Sequence, residues 1–377
     1  MQKLAIIGAS YLQEPLIQKA KDMGLETHVF AWAANDVGEK LADFFYPISI
    51  TEKDAILAKC RELKIDGICT IASDLAVVTV NYVADKMGLT GNSLESTYVS
   101  TNKHAMRECF YANNDPAPKS YLVQSINDLR DKELSFPVIV KPVDRSGSRG
   151  ITKLENGQGL TAAIDYAKEQ SFVRQALVEE FVDGMEYSVE CISWQGTHIF
   201  LSLTRKYTTG APRFIETGHI QPASVAMDIL ERIKKVTFHA LDSLEIKNGA
   251  SHTELKVTPD GRIMLIEIGA RMGGDFIGSH LVEYSTGIDF VKAVIQVALG
   301  HFPDLNAKIS GGAAVYFIFT AKDVDKLSLL KSQHNEYLVD EYIDEDISGE
   351  IVDSSTRHGY FLLKANSASE LEPFMPE

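Results

Sequence analysis

Residues 251–271 read SHTELKVTPDGRIMLIEIGAR. Two runs rich in apolar residues flank the tetrapeptide Thr-Pro-Asp-Gly, whose residue types are typical of a tight turn. The stretch therefore predicts a β-hairpin in which Val257 pairs with Arg262 across the turn. One face of such a hairpin can gather side chains from both strands, so its polar residues are the first candidates for a site.

Two carboxylates fall on this hairpin. With Val257 paired to Arg262, Glu254 is expected opposite Leu265, and Glu267 lies diagonal to Glu254 on the same face. A register slip of one residue would instead place the two acids on opposite faces. Converging carboxylates are costly without a cation between them. Mg²⁺ suits such a pair, because it takes few carboxylates and completes its shell with water and phosphate oxygens. The alternative is that both acids are solvated rim residues.

Arg271 follows Glu267 by four positions, and Gly273 and Gly274 open space beyond it. An arginine beside a metal-bound triphosphate can stabilise the charge that develops in phosphoryl transfer. The alternative is a surface arginine in a loop.

A loop of small residues follows a lysine at residues 140–151, which read VKPVDRSGSRGI. Ser146, Gly147 and Ser148 would let backbone N–H groups approach a polyphosphate, and Lys141 would neutralise its charge. The Gly-Lys-Ser/Thr ending of the phosphate loop that opens a helix is missing. An ordinary hairpin with a lysine at its base is the alternative.

Residues 177–190 read LVEEFVDGMEYSVE, an apolar strand that runs into two acids, a short turn and a second strand. Backbone groups at this crossing can bind the edge of an adenine, and a carboxylate such as Glu186 can accept hydrogen bonds from ribose hydroxyls. For Glu179 and Glu180 taken alone, solvated acids of a hairpin are the favoured interpretation.

The first hundred residues alternate short apolar runs, such as Leu4–Ile7 and Gly67–Ile71, with stretches of helical periodicity. This alternation predicts a parallel sheet with right-handed crossovers. Of the three glycines that a dinucleotide fingerprint requires, only Gly8 is present, which argues against a NAD or FAD site. Later stretches predict a mixed α/β unit with a helix at Leu160–Gln170 and a long helix at Ala223–Leu244.

The composition excludes several classes of function. The chain has 377 residues and a formal charge of −15, so binding to nucleic acid through a general basic surface is not expected. Four cysteines without paired spacing fit a reducing compartment and give no metal-cluster signal. No apolar stretch approaches the length of a membrane span. We therefore expect a cytoplasmic protein without a membrane partner.

Taken in order, these segments resemble the ATP-grasp superfamily of carboxylate–amine ligases. The resemblance implies an α/β ATP-grasp fold in three parts: a Rossmann-like domain at 1–100, an ATP-grasp domain at 101–300 with a mobile lid at about 119–181, and a small C-terminal α+β subdomain at 301–377. It also implies ATP and Mg²⁺ as cofactors, two ions being expected and Mn²⁺ able to substitute. A homodimer is a further expectation, because dimers are common in the family.

The resemblance also implies roles for single residues. Lys103, in an entry motif with Met106 and Arg107, and Lys141 would contact phosphate. Residues 179–182, Glu179, Glu180, Phe181 and Val182, match the adenine-binding hinge, and Glu186 matches the ribose-binding acid. The match extends to the loop at Ser146–Gly150, to Glu254 and Glu267 as metal ligands, and to Arg271 as a catalytic arginine.

Within the superfamily the pattern is most similar to the L-amino-acid ligases that make dipeptides. The stretch from Thr208 to His219 fits that group and is expected on the substrate side, with Arg213, His219, Arg271, Gly273 and Gly274 as candidate contacts. One position departs from the common pattern: Gly269 stands where many members carry an asparagine ligand for the second metal ion.

The expected reaction follows from the resemblance. ATP phosphorylates a carboxylate, an amine displaces the phosphate, and an amide, ADP and phosphate result. One alternative is a purine-pathway ligase or carboxylase that acts on a ribonucleotide, although no second phosphate site is evident. Another is a catalytically silent ATP-binding regulatory protein, which would not need Lys141, Glu254, Glu267 and Arg271 together.

Overall fold

The computed structural model describes residues 1–145, 147–307 and 309–376. Ser146, one of the residues expected to contact phosphate, lies outside the described residues.

A parallel four-stranded sheet with the order β3-β2-β1-β4 forms the N-terminal part of the chain. This confirms the predicted alternation of strands and helices, although β3, α2 and α5 have no counterpart in the prediction. The strand β3, which pairs with β2, has three residues, and this is too short for a periodic pattern to show in the sequence. The elements are β1 (Lys3–Ile7), α1 (Glu14–Asp22), β2 (Glu26–Phe30), α2 (Val37–Leu41), β3 (Phe44–Tyr46), α3 (Lys53–Leu63), β4 (Gly67–Cys69), α4 (Asp74–Met87) and α5 (Leu94–Thr101).

A second sheet, antiparallel and with the order β5-β8-β6-β7, follows the helix α6. Val138 and Val140 on one strand and Val178 on the next pack against Ile164 and Ala167 of α7. The helix α7 and the strand β8 occupy the residues that the sequence predicted. The elements are α6 (Lys103–Ala112), β5 (Ser120–Val123), β6 (Val138–Pro142), β7 (Thr152–Leu154), α7 (Leu160–Gln170) and β8 (Ala176–Glu180).

The third sheet has eight strands in the order β13-β12-β9-β10-β11-β14-β16-β15. Its last three strands come from the C-terminal part of the chain, and β14 pairs with β11. The proposed division at residues 100 and 300 stays a prediction. The elements are β9 (Met185–Trp194), β10 (Thr197–Thr208), β11 (Glu216–Gln221), α8 (Met227–Ser243), β12 (Gly249–Val257), β13 (Ile263–Gly269), α9 (Val282–Thr286), α10 (Phe290–Ala298), β14 (Gly312–Ile318), α11 (Ala321–Gln333), β15 (Leu338–Ile343) and β16 (Gly359–Ala365).

The two faces of this large sheet differ in chemistry because side chains alternate along each strand. Val189, Leu203 and Leu255 point to one face and pack with Ile233 and Leu241 of α8. The opposite face carries charged side chains from adjacent strands: Glu267, Glu254, Glu190, Lys206 and His219. The apolar face holds the sheet in place, and the polar face forms the floor of a cleft.

The hairpin of β12 and β13 has a different register from the predicted one. Val257 pairs with Ile263 rather than with Arg262, because Thr258 N donates to Arg262 O at 2.9 Å and the turn is longer than four residues. A β-bulge at Ile266 then shifts the pairing, so Glu254 lies directly opposite Glu267 rather than opposite Leu265. The two carboxylates share one face, as expected, but they are closer neighbours than the predicted register would make them.

Arg107 explains how the bulge is tolerated. A bulge leaves the extra residue outside the regular ladder of hydrogen bonds. Here Arg107 Nη2 donates to Ile266 O at 2.6 Å, so the carbonyl of the bulged residue keeps a partner.

Candidate active site

A cleft of about 350 Å³ lies over the polar face of the large sheet and reaches the small sheet and the segments that follow β1 and β4. The described residues that line it include eight Lys or Arg and eight Asp or Glu, so the lining is balanced although the chain carries a formal charge of −15. Positive charge is therefore concentrated where a polyphosphate would need it. The basic residues are Lys103, Lys141, Arg145, Arg149, Lys206, Lys256, Arg271 and Arg357.

Each acid of the Glu254–Glu267 pair is held by a lysine. Lys103 Nζ bonds Glu267 Oε1, and Lys206 Nζ lies 2.6 Å from Glu254 Oε1. Burial alone would lower the pKa of Lys206, but Glu254, Glu186 and Glu216 outweigh it and hold that pKa well above its usual range. The same ion pair keeps the pKa of Glu254 well below its usual range despite the effect of burial. Glu254 is therefore ionised, and both acids line the cleft, where a cation can reach them.

Lys141 and Glu179 form a second buried charge network. Lys141 Nζ lies 2.5 Å from Glu179 Oε2, and Arg107 Nε lies 2.8 Å from Glu179 Oε1. Burial would raise the pKa of Glu179, but the two cations lower it to about 2. The Glu179 carboxylate thus orients Lys141 and Arg107, which leaves only the Glu179 backbone for an adenine. Arg107 is fully buried, a position that sequence alone does not predict for an arginine.

Arg271 is directed by the N-terminal part of the chain. Its Nε and Nη2 donate to the two oxygens of Asp74 at 2.9 and 3.1 Å. A Cβ atom at Gly269 would stand 2.8 Å from Asp74 Oδ1 and 3.1 Å from Arg271 Nε. The missing side chain at Gly269 is therefore what lets Arg271 reach Asp74 at this place.

The remaining nucleotide candidates line the cleft. Gly147, Ser148, Glu180, Phe181, Val182 and Glu186 are all among its lining residues. Ser148 Oγ donates to Phe214 O at 2.9 Å, so the loop rests on the segment before β11. Arg149 Nε lies 3.3 Å from Asp353 Oδ2, which ties the same loop to the C-terminal part of the chain.

Asp275, His219 and Arg357 form the cluster farthest along the sheet from Glu267. Arg357 donates two hydrogen bonds to Asp275, at 2.9 and 2.7 Å, and its guanidinium lies 3.5 Å from the ring centroid of Phe317. His219 is 1% exposed, its Nε2 lies 3.7 Å from Asp275 Oδ2, and burial lowers its pKa. This cluster extends the cleft beyond the phosphate-binding candidates.

Two substrate candidates occupy other positions. Arg213 is absent from the described lining residues, because its guanidinium bonds Glu350 and the carbonyl of Ile351. Gly273 N donates to Glu190 Oε2 at 3.1 Å beneath the cleft, whereas Gly274 lines it. Arg213 and Gly273 as substrate contacts stay predictions; in this structure Arg213 contacts the segment at Glu350 and Ile351, and Gly273 contacts a buried side chain.

The prediction named Arg107 only as part of the entry motif and gave no role to several other residues of the site: Lys206, Glu190, His252 and Arg357. Lys206 was discoverable in principle, because it alternates with apolar residues in a strand-like run. Arg357 was not, since it comes from a distant segment that only the fold brings to the cleft.

The acids suit magnesium in number and kind. Within the described ranges, no group of three or more His, Cys, Asp or Glu side chains forms a self-sufficient metal site. Two opposed carboxylates beside several cations match an ion that takes the rest of its ligands from water and phosphate.

Comparison with known proteins agrees with this geometry. Residues 134–279 match the family profile described as ATP-grasp domain. The chain therefore contains an ATP-grasp domain, as the resemblance implied. The chain is 27% identical over 298 residues to alanine–anticapsin ligase of Bacillus subtilis, a match that covers 70% of the chain and 62% of the relative. It is 24% identical over 336 residues to human carnosine synthase 1, which covers 81% of the chain and 40% of the relative.

A solved structure resembles almost the whole chain. The L-amino acid ligase from Bacillus licheniformis superposes with a TM-score of 0.84 at 25% identity, covering 99% of this chain and 96% of that one. The predicted α/β ATP-grasp fold is confirmed. Among the described residues, no helix combines the length and apolar character that crossing a membrane requires.

Replacing Glu179 tests the buried network. Glu179→Gln should lower the free energy of unfolding at neutral pH by about 3–5 kcal/mol, because Arg107 and Lys141 would lose their buried counter-ion. The pKa of Glu179 is depressed from 4.5 to about 2 in the folded protein, so its contribution is present above pH 4.5 and is lost as the pH falls toward 2. The gap between wild type and variant in urea unfolding should therefore narrow across that window.

Glu180→Gln on the same strand is the matched control, since Glu180 makes no ion pair with any residue that the structure describes. A pH-independent gap for Glu179→Gln, or an equal loss in both variants, would contradict the assignment.

Proposed function

We propose that this protein is a ligase that uses Mg-ATP to activate a carboxylate as an acyl phosphate and then joins it to an amine. One observation carries the proposal: Glu254 and Glu267 face each other in a cleft into which Lys103, Lys141 and Arg271 also project. ADP and phosphate are the other products. The carboxylate substrate is an amino acid or another small carboxylate.

The nucleotide lies between the small sheet and the large one in this proposal. Backbone groups of residues 180–182 face the adenine, and Glu186 accepts hydrogen bonds from the ribose. Lys103, Lys141 and the loop at Gly147 and Ser148 hold the phosphates. Support comes from the position of all these residues on one cleft and from the pKa of Arg271, which Asp74, Glu267 and Glu254 raise despite burial.

Magnesium would be held by Glu254 and Glu267, with Mn²⁺ as a substitute and a second ion sharing the same acids. When bound, the metal neutralises the phosphate oxygens and orients the terminal phosphoryl group. The lysines that now pair with these acids would then turn to phosphate oxygens, so that each cation keeps an anionic partner.

In the proposed reaction, the side chains of the protein position the substrates and stabilise the charge on the transferring phosphoryl group. The substrate carboxylate oxygen attacks the γ-phosphorus in line, and the bond to the ADP oxygen breaks. Lys141 and Arg271 stabilise the charge on the transferring group. The amine nitrogen then attacks the acyl carbon, the phosphate leaves with the bonding pair, and the nitrogen loses a proton. The glycine-rich loop, which already contacts Phe214 and Asp353, would exclude water from the acyl phosphate.

The names of the relatives favour this class. Alanine–anticapsin ligase, carnosine synthase and L-amino acid ligase are all named as enzymes that join such substrates. Because the match spans only 62% and 40% of the first two relatives, the activity and the amino-acid substrates are proposals for this chain.

Glu267→Gln should abolish ADP formation while the fold survives, since one metal ligand is lost. Lys141→Ala should mainly raise the KM for ATP. The measurement is phosphate release over pairs of amino acids and small carboxylates, with hydroxylamine added in parallel to trap an acyl phosphate as a hydroxamate.

Asp260→Asn, in the turn of the same hairpin, is the control and should turn over normally. Near-normal turnover of Glu267→Gln would refute the metal role. Stimulation by a ribonucleotide alone would favour the purine-pathway alternative, and tight ATP binding with no hydroxamate for any carboxylate would favour the silent regulatory protein.

Gly269→Asn tests the departure from the common pattern. The added side chain would press on Asp74 and Arg271, so we expect kcat to fall about tenfold, which corresponds to ~1.4 kcal/mol of lost transition-state stabilisation. Titration of activity with Mg²⁺ checks the result. A higher kcat and tighter Mg²⁺ dependence would instead show that an asparagine ligand fits here.

Arg357→Gln tests the far end of the cleft as the place of an organic substrate. The KM for that substrate should rise about 10–100-fold, the cost of losing a hydrogen bond to a charged group, while the KM for ATP stays within about threefold. Steady-state kinetics with each substrate varied in turn separates these effects. Arg262→Gln, on the protein surface, should leave all constants unchanged, and an equal rise in the KM for ATP for Arg357→Gln would contradict the assignment.

A further inference from the structure

Glu190 is a fully buried carboxylate that the proposed mechanism does not use. It lies on β9 directly across the ladder from His252 on β12. Its Oε1 lies 2.5 Å from His252 Nδ1, and its Oε2 accepts the N–H of Gly273 at 3.1 Å. Both oxygens of this acid are therefore occupied within the protein, which makes Glu190 an internal anchor.

His252 connects Glu190 to the proposed metal site. Its other ring nitrogen, Nε2, lies 3.3 Å from Glu254 Oε1. Lys206 Nζ lies 2.6 Å from the same oxygen. Oε1 of Glu254 thus has two cationic or donor partners, whereas Oε2 has no hydrogen bond or ion pair with a residue in the described part of the chain.

We propose that Glu190 and His252 are positioning residues for the metal ligand Glu254. By holding Oε1 from beneath, they aim Oε2 into the cleft toward the metal-bound nucleotide. This inference rests on the proposed function, because it takes Glu254 as a ligand of the metal. Partners that orient a ligating carboxylate are a general feature of metal sites, and losing one costs about 10–100-fold in metal affinity.

The surroundings of the pair support a positioning role over a filling role. A buried carboxylate–imidazole pair is expensive, and an apolar pair of similar volume would fill the same space at less cost. The pair also fixes the backbone that follows Arg271: a Cβ atom at Gly273 would stand 2.7 Å from His252 Nδ1 and 3.1 Å from each oxygen of Glu190. Two functional segments, Glu254 and the glycines after Arg271, therefore lie against one buried pair.

The two ring nitrogens of His252 can be tested separately. In His252→Gln the amide nitrogen takes the place of Nε2 and can still donate to Glu254, whereas in His252→Asn the amide takes the place of Nδ1 and reaches only Glu190. Both variants remove the ring and any charge on it, so they differ mainly in contact with Glu254.

The measurement is the affinity for Mn²⁺ in the presence of a non-hydrolysable ATP analogue. Electron paramagnetic resonance reports the concentration of free Mn²⁺. We expect His252→Asn to bind Mn²⁺ about 10–100-fold more weakly than wild type and His252→Gln to stay within about threefold. Thr253→Val, on the next residue and the opposite face of β12, should bind as wild type. Thermal unfolding of each variant shows whether it is folded.

Equal Mn²⁺ affinity of the Asn and Gln variants would overturn the proposal, whether both match wild type or both are impaired. If His252→Asn does not fold, Glu190→Gln takes its place: weaker Mn²⁺ binding supports the anchor, and unchanged binding overturns it. Glu254→Gln separates the metal role of Glu254 from the positioning role of His252. Wild-type binding in that variant would remove Glu254 from the metal site and with it the proposed function, whereas weak binding leaves the test of His252 valid.

Discussion

The guanidinium of Arg107 joins two sheets that have no described strand in common. It bonds Glu179 on the small sheet and the carbonyl of Ile266 on the large one, and α6 brings it to both. The bulge at Ile266 places Glu267 opposite Glu254, and the bond to Glu179 sets the position of Lys141. This buried cation therefore links the proposed metal ligands to Lys141 on the small sheet. Without its counter-ion the cation would be costly to bury, which is why the two sheets must meet at this point.

The charged side chains in the cleft are paired in a way that lets them exchange partners when a ligand binds. In the protein alone, Lys103, Lys141 and Lys206 each have a carboxylate partner, and the lining is neutral as a whole. A metal-bound triphosphate brings both signs of charge, so it can take over the cations and the acids together without leaving either unpaired. Because the dipoles and charges are already in place, the proposed phosphoryl transfer would need little reorganisation of the site. The three pairs differ in depth. Glu179 is 3% exposed, whereas the side chains of Glu254 and Glu267 are each 25% exposed, so only the last two can readily change partners.

Periodicity predicted the helix α7, the apolar run predicted the strand β8, and turn chemistry predicted that Glu254 and Glu267 share one face of the hairpin. The exact pairing was out of reach, because the bulge depends on a side chain 159 positions away in sequence. The burial of Lys206 and Arg107 was not predicted for a related reason. Charged residues are rarely buried, and the free-energy cost of burying them is offset only by ionic partners that the fold brings near. The contacts of Arg213 with Glu350 and Ile351 were likewise out of reach, because they join segments more than 130 positions apart in sequence.

The N-terminal part of the chain contributes to the site as well as to the fold. Asp74 begins α4, and the preceding loop is joined to the large sheet through the bond from Ala72 N to Met272 O at 3.2 Å. Arg271 therefore takes its direction from a carboxylate that only this docking brings near. Glycine at position 269 is a condition of the same contact, because a side chain there would occupy the space between the two groups. The absence of an asparagine at position 269 and the Asp74–Arg271 ion pair therefore depend on each other. The space that an asparagine ligand would fill is used to hold Arg271 in a fixed orientation.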